Sequence, residues 1–137
     1  MSLTHLVEQI REIVDRIRLS DPAINRVLIS DNQGVEIVQY VKDYRLTEEE
    51  KESKNPIIPL LNSIMLNSEK FLGWLKRQDA DHFIFNWVFD EQIVLAASSP
   101  FGFIGVFCEK DANAALIKAV LKEEAVKYNE IVRYIFN

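Results

Sequence analysis

Val27-Leu28-Ile29-Ser30-Asp31-Asn32-Gln33-Gly34-Val35-Glu36-Ile37 is the stretch on which the fold turns. Val27, Leu28 and Ile29 form a short apolar, partly β-branched run that favours a strand. Asp31, Asn32, Gln33 and Gly34 are turn formers, and the glycine can take the positive φ that closes a hairpin. The return strand runs from Val35 to Val41. Val35, Ile37 and Val41 lie on one of its faces and Val38 and Tyr40 on the other, so both faces carry apolar groups. A sheet patterned in this way is expected to have helices on both sides.

Upstream of the hairpin, Leu3, Leu6, Val7, Ile10, Ile13, Val14 and Ile17 recur at three- and four-residue steps, with Glu8, Arg11, Glu12, Asp15 and Arg16 between them. That spacing predicts an amphipathic helix. Ser20, Asp21 and Pro22 stop it, because proline lacks the amide proton and disfavours helix in the residue before it.

Downstream, residues 43 to 55 include Glu48, Glu49, Glu50, Lys51, Glu52 and Lys54 and read as a charged connecting loop. Its bland reading is a solvated loop; its functional reading is a contact with a basic patch, weakened by salt. Pro56 suits the first turn of a second helix ending near Lys76. On that helix Ile57, Ile58, Leu60, Leu61, Ile64, Met65, Phe71, Leu72 and Leu75 span roughly 160°, wider than a sheet-facing stripe requires. Leu66 and Trp74 fall outside the arc. The excess apolar surface points to a second contact, and in a single domain of this size that contact is another chain.

Three further strands are expected: His82 to Phe89, Gln92 to Ser98, and Phe101 or Gly102 to Cys108, split by Asp90-Glu91 and Ser99-Pro100. Such short links favour antiparallel neighbours. A last helix from about Ala112 to Phe136 has Leu116, Ile117, Val120, Leu121, Tyr128, Ile131 and Ile135 on one side. The order is α-β-β-α-β-β-β-α. It gives one α+β domain over residues 1 to 137, a five-stranded antiparallel sheet with helices on both faces.

The totals narrow the function. The 137 residues are 48% hydrophobic and 27% charged, enough for a real core in one domain. With 21 acids against 16 basic residues the net charge is -5, which argues against a nucleic-acid backbone as partner. Cys108, the single cysteine, continues the apolar run Phe103 to Phe107 and reads as a small core group in a reducing compartment. No apolar stretch approaches the roughly 20 residues of a membrane span, and Glu8, Arg11 and Glu12 stand where a signal peptide would be apolar. A cytoplasmic protein without direct membrane insertion is the expectation.

Catalytic arrangements are not evident. His5 and His82 sit on different elements, without Cys or Asp at metal-ligand spacing, and a helix surface and a strand end account for them. The glycines Gly34, Gly73, Gly102 and Gly105 form no phosphate-wrapping turn; Gly102 and Gly105 instead relieve crowding where Phe101, Phe103 and Phe107 pack, or allow close backbone approach on the last strand. Ser98 and Ser99 before Pro100 have no identifiable base, and a turn explains them. No catalytic residue, metal or cofactor is expected, and the chain does not read as an enzyme. Phe83, Phe85, Trp87 and Phe89 make one face of the third strand aromatic. Stacked bases would need a positive groove, which Asp79, Asp81, Asp90 and Glu91 oppose, so core packing is the simpler reading.

The quoted hairpin resembles the first hairpin of the roadblock, or dynein light chain, family, in which an apolar strand ending in Asp is followed within a few residues by Gly and a second strand. The run Phe85-Asn86-Trp87-Val88-Phe89-Asp90-Glu91-Gln92-Ile93-Val94-Leu95-Ala96-Ala97-Ser98 resembles that family's third and fourth strands. Element order carries the likeness from Leu3 to about Phe136, while the acidic link and the aromatic third strand depart from the pattern. The resemblance implies dimers, homo- or heteromeric, in which third strands meet edge to edge and second helices lie side by side. It also implies a scaffold that recruits or regulates a small Ras-like GTPase or a larger regulatory complex, or links cargo to a motor. The partner is then this chain itself or a paralogous roadblock protein. The seam would use Leu61, Met65, Leu66, Lys70 and Trp74 on the helix and Ile84, Asn86 and Val88 on the strand. The rival class is a small-molecule sensor of profilin-like, PAS or GAF type, whose sheet would cup a ligand among the aromatics.

Overall fold

A computed structural model describes residues 3–42, 57–74 and 84–136. Its elements are α1 (Leu3–Arg18), β1 (Ile24–Asp31), β2 (Glu36–Val41), α2 (Ile57–Trp74), β3 (Ile84–Val88), β4 (Gln92–Ser99), β5 (Gly102–Glu109) and α3 (Ala114–Phe136). The five strands form one antiparallel sheet in the order β2-β1-β5-β4-β3. The central strand is therefore the last in sequence, and the two edges are β2 and β3. The expected fold class and element order are found. The charged loop at 43–55 lies outside the described residues.

Helix α1 ends where the sequence placed the stop. Ser20 turns back, its Oγ donating to the Ile17 carbonyl at 2.6 Å. Asp21 then ties three elements together. Its Oδ1 accepts the Ala23 amide at 2.8 Å and its Oδ2 accepts the Asn113 amide at 3.0 Å. Asn113 in turn caps α3, its Oδ1 accepting from the Leu116 amide at 3.1 Å. This tie lets β1 begin at Ile24, three residues before the apolar run from which the strand was read.

The β1-β2 turn closes as its residues require. Asp31 Oδ1 accepts the amides of Gln33 and Val35, both at 2.9 Å, and Gly34 has φ 81°. The pairing steps from Ile29↔Val38 to Ser30↔Glu36, so a bulge at the start of β2 takes up one residue.

Side chains alternate to opposite faces and build two cores. On one face α1 and α3 cover Val27, Ile29, Leu95, Ala97, Ile104, Val106 and Cys108 with Ile13, Ile17, Ile117, Leu121 and Tyr128. Leu116, read as part of the inner side of α3, is instead exposed. The inward row steps through Ile117, Leu121, Ala125, Tyr128 and Val132, and Leu116 lies about 100° away from its first member. On the other face α2 sets Leu61 and Met65 against Leu28, Ala96 and Phe103, with Phe85, Trp87 and Phe107 packed partly into the cluster.

Two glycines make this packing possible. Gly105 leaves β5 bare beneath α2, since a Cβ there would stand 3.0 Å from Leu61 Cδ2 and 3.5 Å from Leu28. Gly102 has φ 139°, and a Cβ there would run into the Ser30 carbonyl oxygen. Close backbone approach on the last strand is what Gly102 shows, whereas the near neighbours of Gly105 are the Leu61 and Leu28 side chains.

Candidate protein-protein interface

Strand β3 forms one edge of the sheet, and the phase of its ladder decides which groups it presents. The Phe89 amide donates to the Gln92 carbonyl at 2.8 Å, so residues 89 and 92 form a hydrogen-bonded pair. In the observed register Trp87↔Val94 and Phe85↔Ala96 are the next such pairs. Amide and carbonyl groups of Ile84, Asn86 and Val88 therefore point away from the sheet. These are the three strand residues named from the sequence.

The side chains of this edge divide by face. Phe85 and Trp87 lie on the α2 side, half-buried and stacked with ring centroids 5.7 Å apart and planes 17° apart. Asn86 and Val88 are on the opposite face and exposed, Val88 at 73%, while Ile84 packs partly against the larger core. Phe89 is exposed, so the aromatic face is core at its middle and surface at its end. Phe83 lies outside the described residues. The strand Ile84–Val88 contains no proline and no charged residue, the usual devices that keep an edge from pairing.

Beside this edge, α2 divides the expected seam residues. Leu61 and Met65 are buried on the sheet of their own chain, at 6% and 3% exposure, and present nothing outward. Leu66 and Lys70 are exposed. Trp74 is the last residue of the helix, and its side chain lies outside those described.

Two residues of the wide apolar arc, not named for the seam from the sequence, are surface. Leu60 is 59% exposed and Ile64 46%. Both sit about 160° around the helix from Asn62. Asn62 meets the β1-β2 turn, where a Cβ on Gly34 would stand 3.3 Å from its Nδ2. Leu60 and Ile64 therefore lie on the flank of α2 turned away from the β1-β2 turn. The width of the apolar arc was the signal that could have found them. A helix on a sheet buries the middle of its stripe and leaves the margins for another contact. Leu66, about 160° from Ile64, belongs to the other flank.

Cys108 is fully buried, and burial, with Asp21 nearby, pushes its thiol up to about 12. Ser98 is buried on β4. Among the described residues no group of His, Cys, Asp or Glu is placed to hold a metal ion, and His82 lies outside them. No described helix is long and apolar enough to cross a membrane.

Comparison with known proteins supports the fold. No protein-family model matches the sequence, and no curated protein matches it. Solved structures do. A structure of the gliding protein MglB from Thermus thermophilus superposes with a TM-score of 0.75 at 9% identity, covering 98% of this chain and 94% of that one. A second MglB, described with a tetrameric arrangement, gives 0.75 at 10% identity over 98% and 93%. A Roadblock/LC7 domain from Streptomyces avermitilis gives 0.63 at 10% identity over 88% and 92%. At these identities the likeness is one of fold. The chain has the roadblock fold.

Proposed function

We propose that this chain is a non-catalytic roadblock-type scaffold that pairs with a second roadblock chain, its own copy or a paralogue, and through that dimer regulates or recruits a small Ras-like GTPase or a larger regulatory complex. One observation carries the reading: an uncharged edge strand turns the backbone groups of Ile84, Asn86 and Val88 outward, and α2, packed on the same sheet, leaves Leu60 and Ile64 exposed. Pairing two such edges antiparallel would satisfy both rows of hydrogen-bonding groups and bring the two helices together over a continuous sheet. The helix part of the seam is accordingly Leu60 and Ile64, with Leu61 and Met65 supporting them from below.

The tetrameric arrangement described for one MglB structure supports association among proteins of this fold. The link to a GTPase rests on the roadblock resemblance. It is tested by adding the protein to GTP-loaded Ras-like GTPases and following binding and hydrolysis. A cysteine scan tests the seam. Single cysteines at Ile84, Asn86 or Val88 should oxidise rapidly to disulfide-linked dimers at one or more of these positions, since facing Cα atoms on paired strands lie about 5.5 Å apart or less. Failure of all three to cross-link while a cysteine elsewhere does so would remove β3 from the seam.

A further inference from the structure

Pairing through β3 leaves the opposite edge, β2, without a neighbouring strand among the described residues. The Lys42 amide donates to the Asn25 carbonyl at 2.8 Å, which with the register Val27↔Tyr40 and Ile29↔Val38 turns those residues inward. The backbone groups of Gln39 and Val41 consequently point outward. A groove of about 550 Å³ runs alongside, between α1 and β2; Val7, Val14, Val38 and Tyr40 line it, together with Arg11 and two carboxylates, Asp15 and Glu36.

Charge at the lip of the groove is uneven in its pairing. Asp15 is held by Arg18, Nε to Oδ1 at 2.8 Å, and the Arg18 guanidinium also sits 4.9 Å from the Tyr40 ring centre. Arg11 has no acidic partner among the described residues.

We propose that the β2 edge and this groove bind an extended segment of another protein, which adds a strand to the sheet, sets alternate aliphatic side chains on Val7, Val14, Val38 and Tyr40, and places an acidic residue on Arg11. Two independent features select this occupant. Outward amide and carbonyl groups are matched by an extended backbone, and apolar groups beside them take every second side chain of such a strand. A second copy of this chain fits less well. In twofold pairing about Gln39, the bulge at the start of one β2 falls opposite Val41 of the other and ends the ladder there.

The test is an amide NMR titration with the peptide Thr-Val-Thr-Val-Thr-Glu, its ends blocked, and with the same peptide ending in Lys. The Glu peptide should shift the amides of Gln39 and Val41 and slow their hydrogen exchange, leaving β3 unchanged. Arg11→Glu should weaken the Glu peptide about tenfold and reverse the preference between the two. Gln39→Pro removes an outward amide without breaking a bond to β1, so it should abolish binding while thermal unfolding stays near wild type. Absence of shifts at Gln39 and Val41, shifts at β3 instead, or self-association through β2 that excludes the peptide would each overturn the proposal. The β3 cross-linking result is independent of all of these.

Discussion

The Arg16 Nε donates to Glu124 Oε1 at 2.8 Å, joining α1 to α3 across the top of the larger core. The Glu124 side chain is 4% exposed and the Arg16 side chain 44%, so the acid is buried while its partner reaches in from the surface. Lys127 Nζ adds a second contact to the same oxygen at 3.2 Å. Arg16 is held protonated above its ordinary range chiefly by the hydrogen bond it donates to Glu124.

Removing Arg16 leaves a buried carboxylate with Lys127 alone. Arg16→Ala should destabilise the fold by about 1–2 kcal/mol, below the cost of breaking a fully buried pair because Arg16 is partly in water. The double change Arg16→Met with Glu124→Leu should recover most of that loss. Urea unfolding of the single and double variants measures both, and a neutral Arg16→Ala would show that the pair contributes nothing.

Alkaline pH should loosen the fold through two buried groups. The Cys108 thiol ionises near 9.0 when exposed and near 12 in the fold; burial likewise raises Tyr128 from 10.0 to about 12. Between those values the unfolded chain has released protons that the folded one retains. Stability is thus fully present below about pH 9 and falls as the pH rises towards 12. Unfolding free energy measured from pH 8 upward should decline, with a shallower slope in Cys108→Val. At pH 8 a thiol-reactive disulfide reagent should modify Cys108 only after unfolding.

Alanine at the two positive-φ glycines should separate them. At Gly102 the new Cβ would meet the Ser30 oxygen and stand 2.8 Å from Asp31 Cα, backbone that cannot step aside. A loss of roughly 3 kcal/mol or more, or failure to fold, is expected. At Gly34 the neighbour is the movable Asn62 side chain, so the cost should be about 1 kcal/mol, the strain of left-handed backbone. Thermal unfolding ranks the pair, and equal effects would contradict the packing described for β5.

Proline on β3 should distinguish association from folding. The Asn86 amide points out of the sheet, whereas the Trp87 amide faces β4. Asn86→Pro should leave a folded monomer that no longer pairs, and Trp87→Pro should unfold the β3-β4 hairpin. Circular dichroism with sedimentation velocity reads both outcomes. A dimer that survives Asn86→Pro would place the seam elsewhere.

Much of this fold was legible in local chemistry. Asp31 and Gly34 announced the hairpin, Pro22 the end of α1, and the three- and four-residue steps of Ile10, Ile13, Val14 and Ile17 the face α1 buries. Edge and centre were not legible, because strand order is set by long-range pairing: β5 lies beside β1 although more than sixty residues of sequence separate them. The same limit governed the interface. Periodicity grouped Leu60 and Ile64 with Leu61 and Met65, but only the position of the helix over Gly105 shows which pair is spent on the core. On β3 the alternation gave the faces, while the outward direction of the Ile84, Asn86 and Val88 backbone depends on which side β4 occupies.

Light scattering of the purified chain, from a few micromolar to about one hundred micromolar, decides whether two copies pair. A dimer is expected for the wild type and a folded monomer for Ile64→Asp, whose charge would be buried against the partner helix. A wild type that stays monomeric throughout that range, in the absence of a paralogue that captures it, would rule out the β3 and α2 seam.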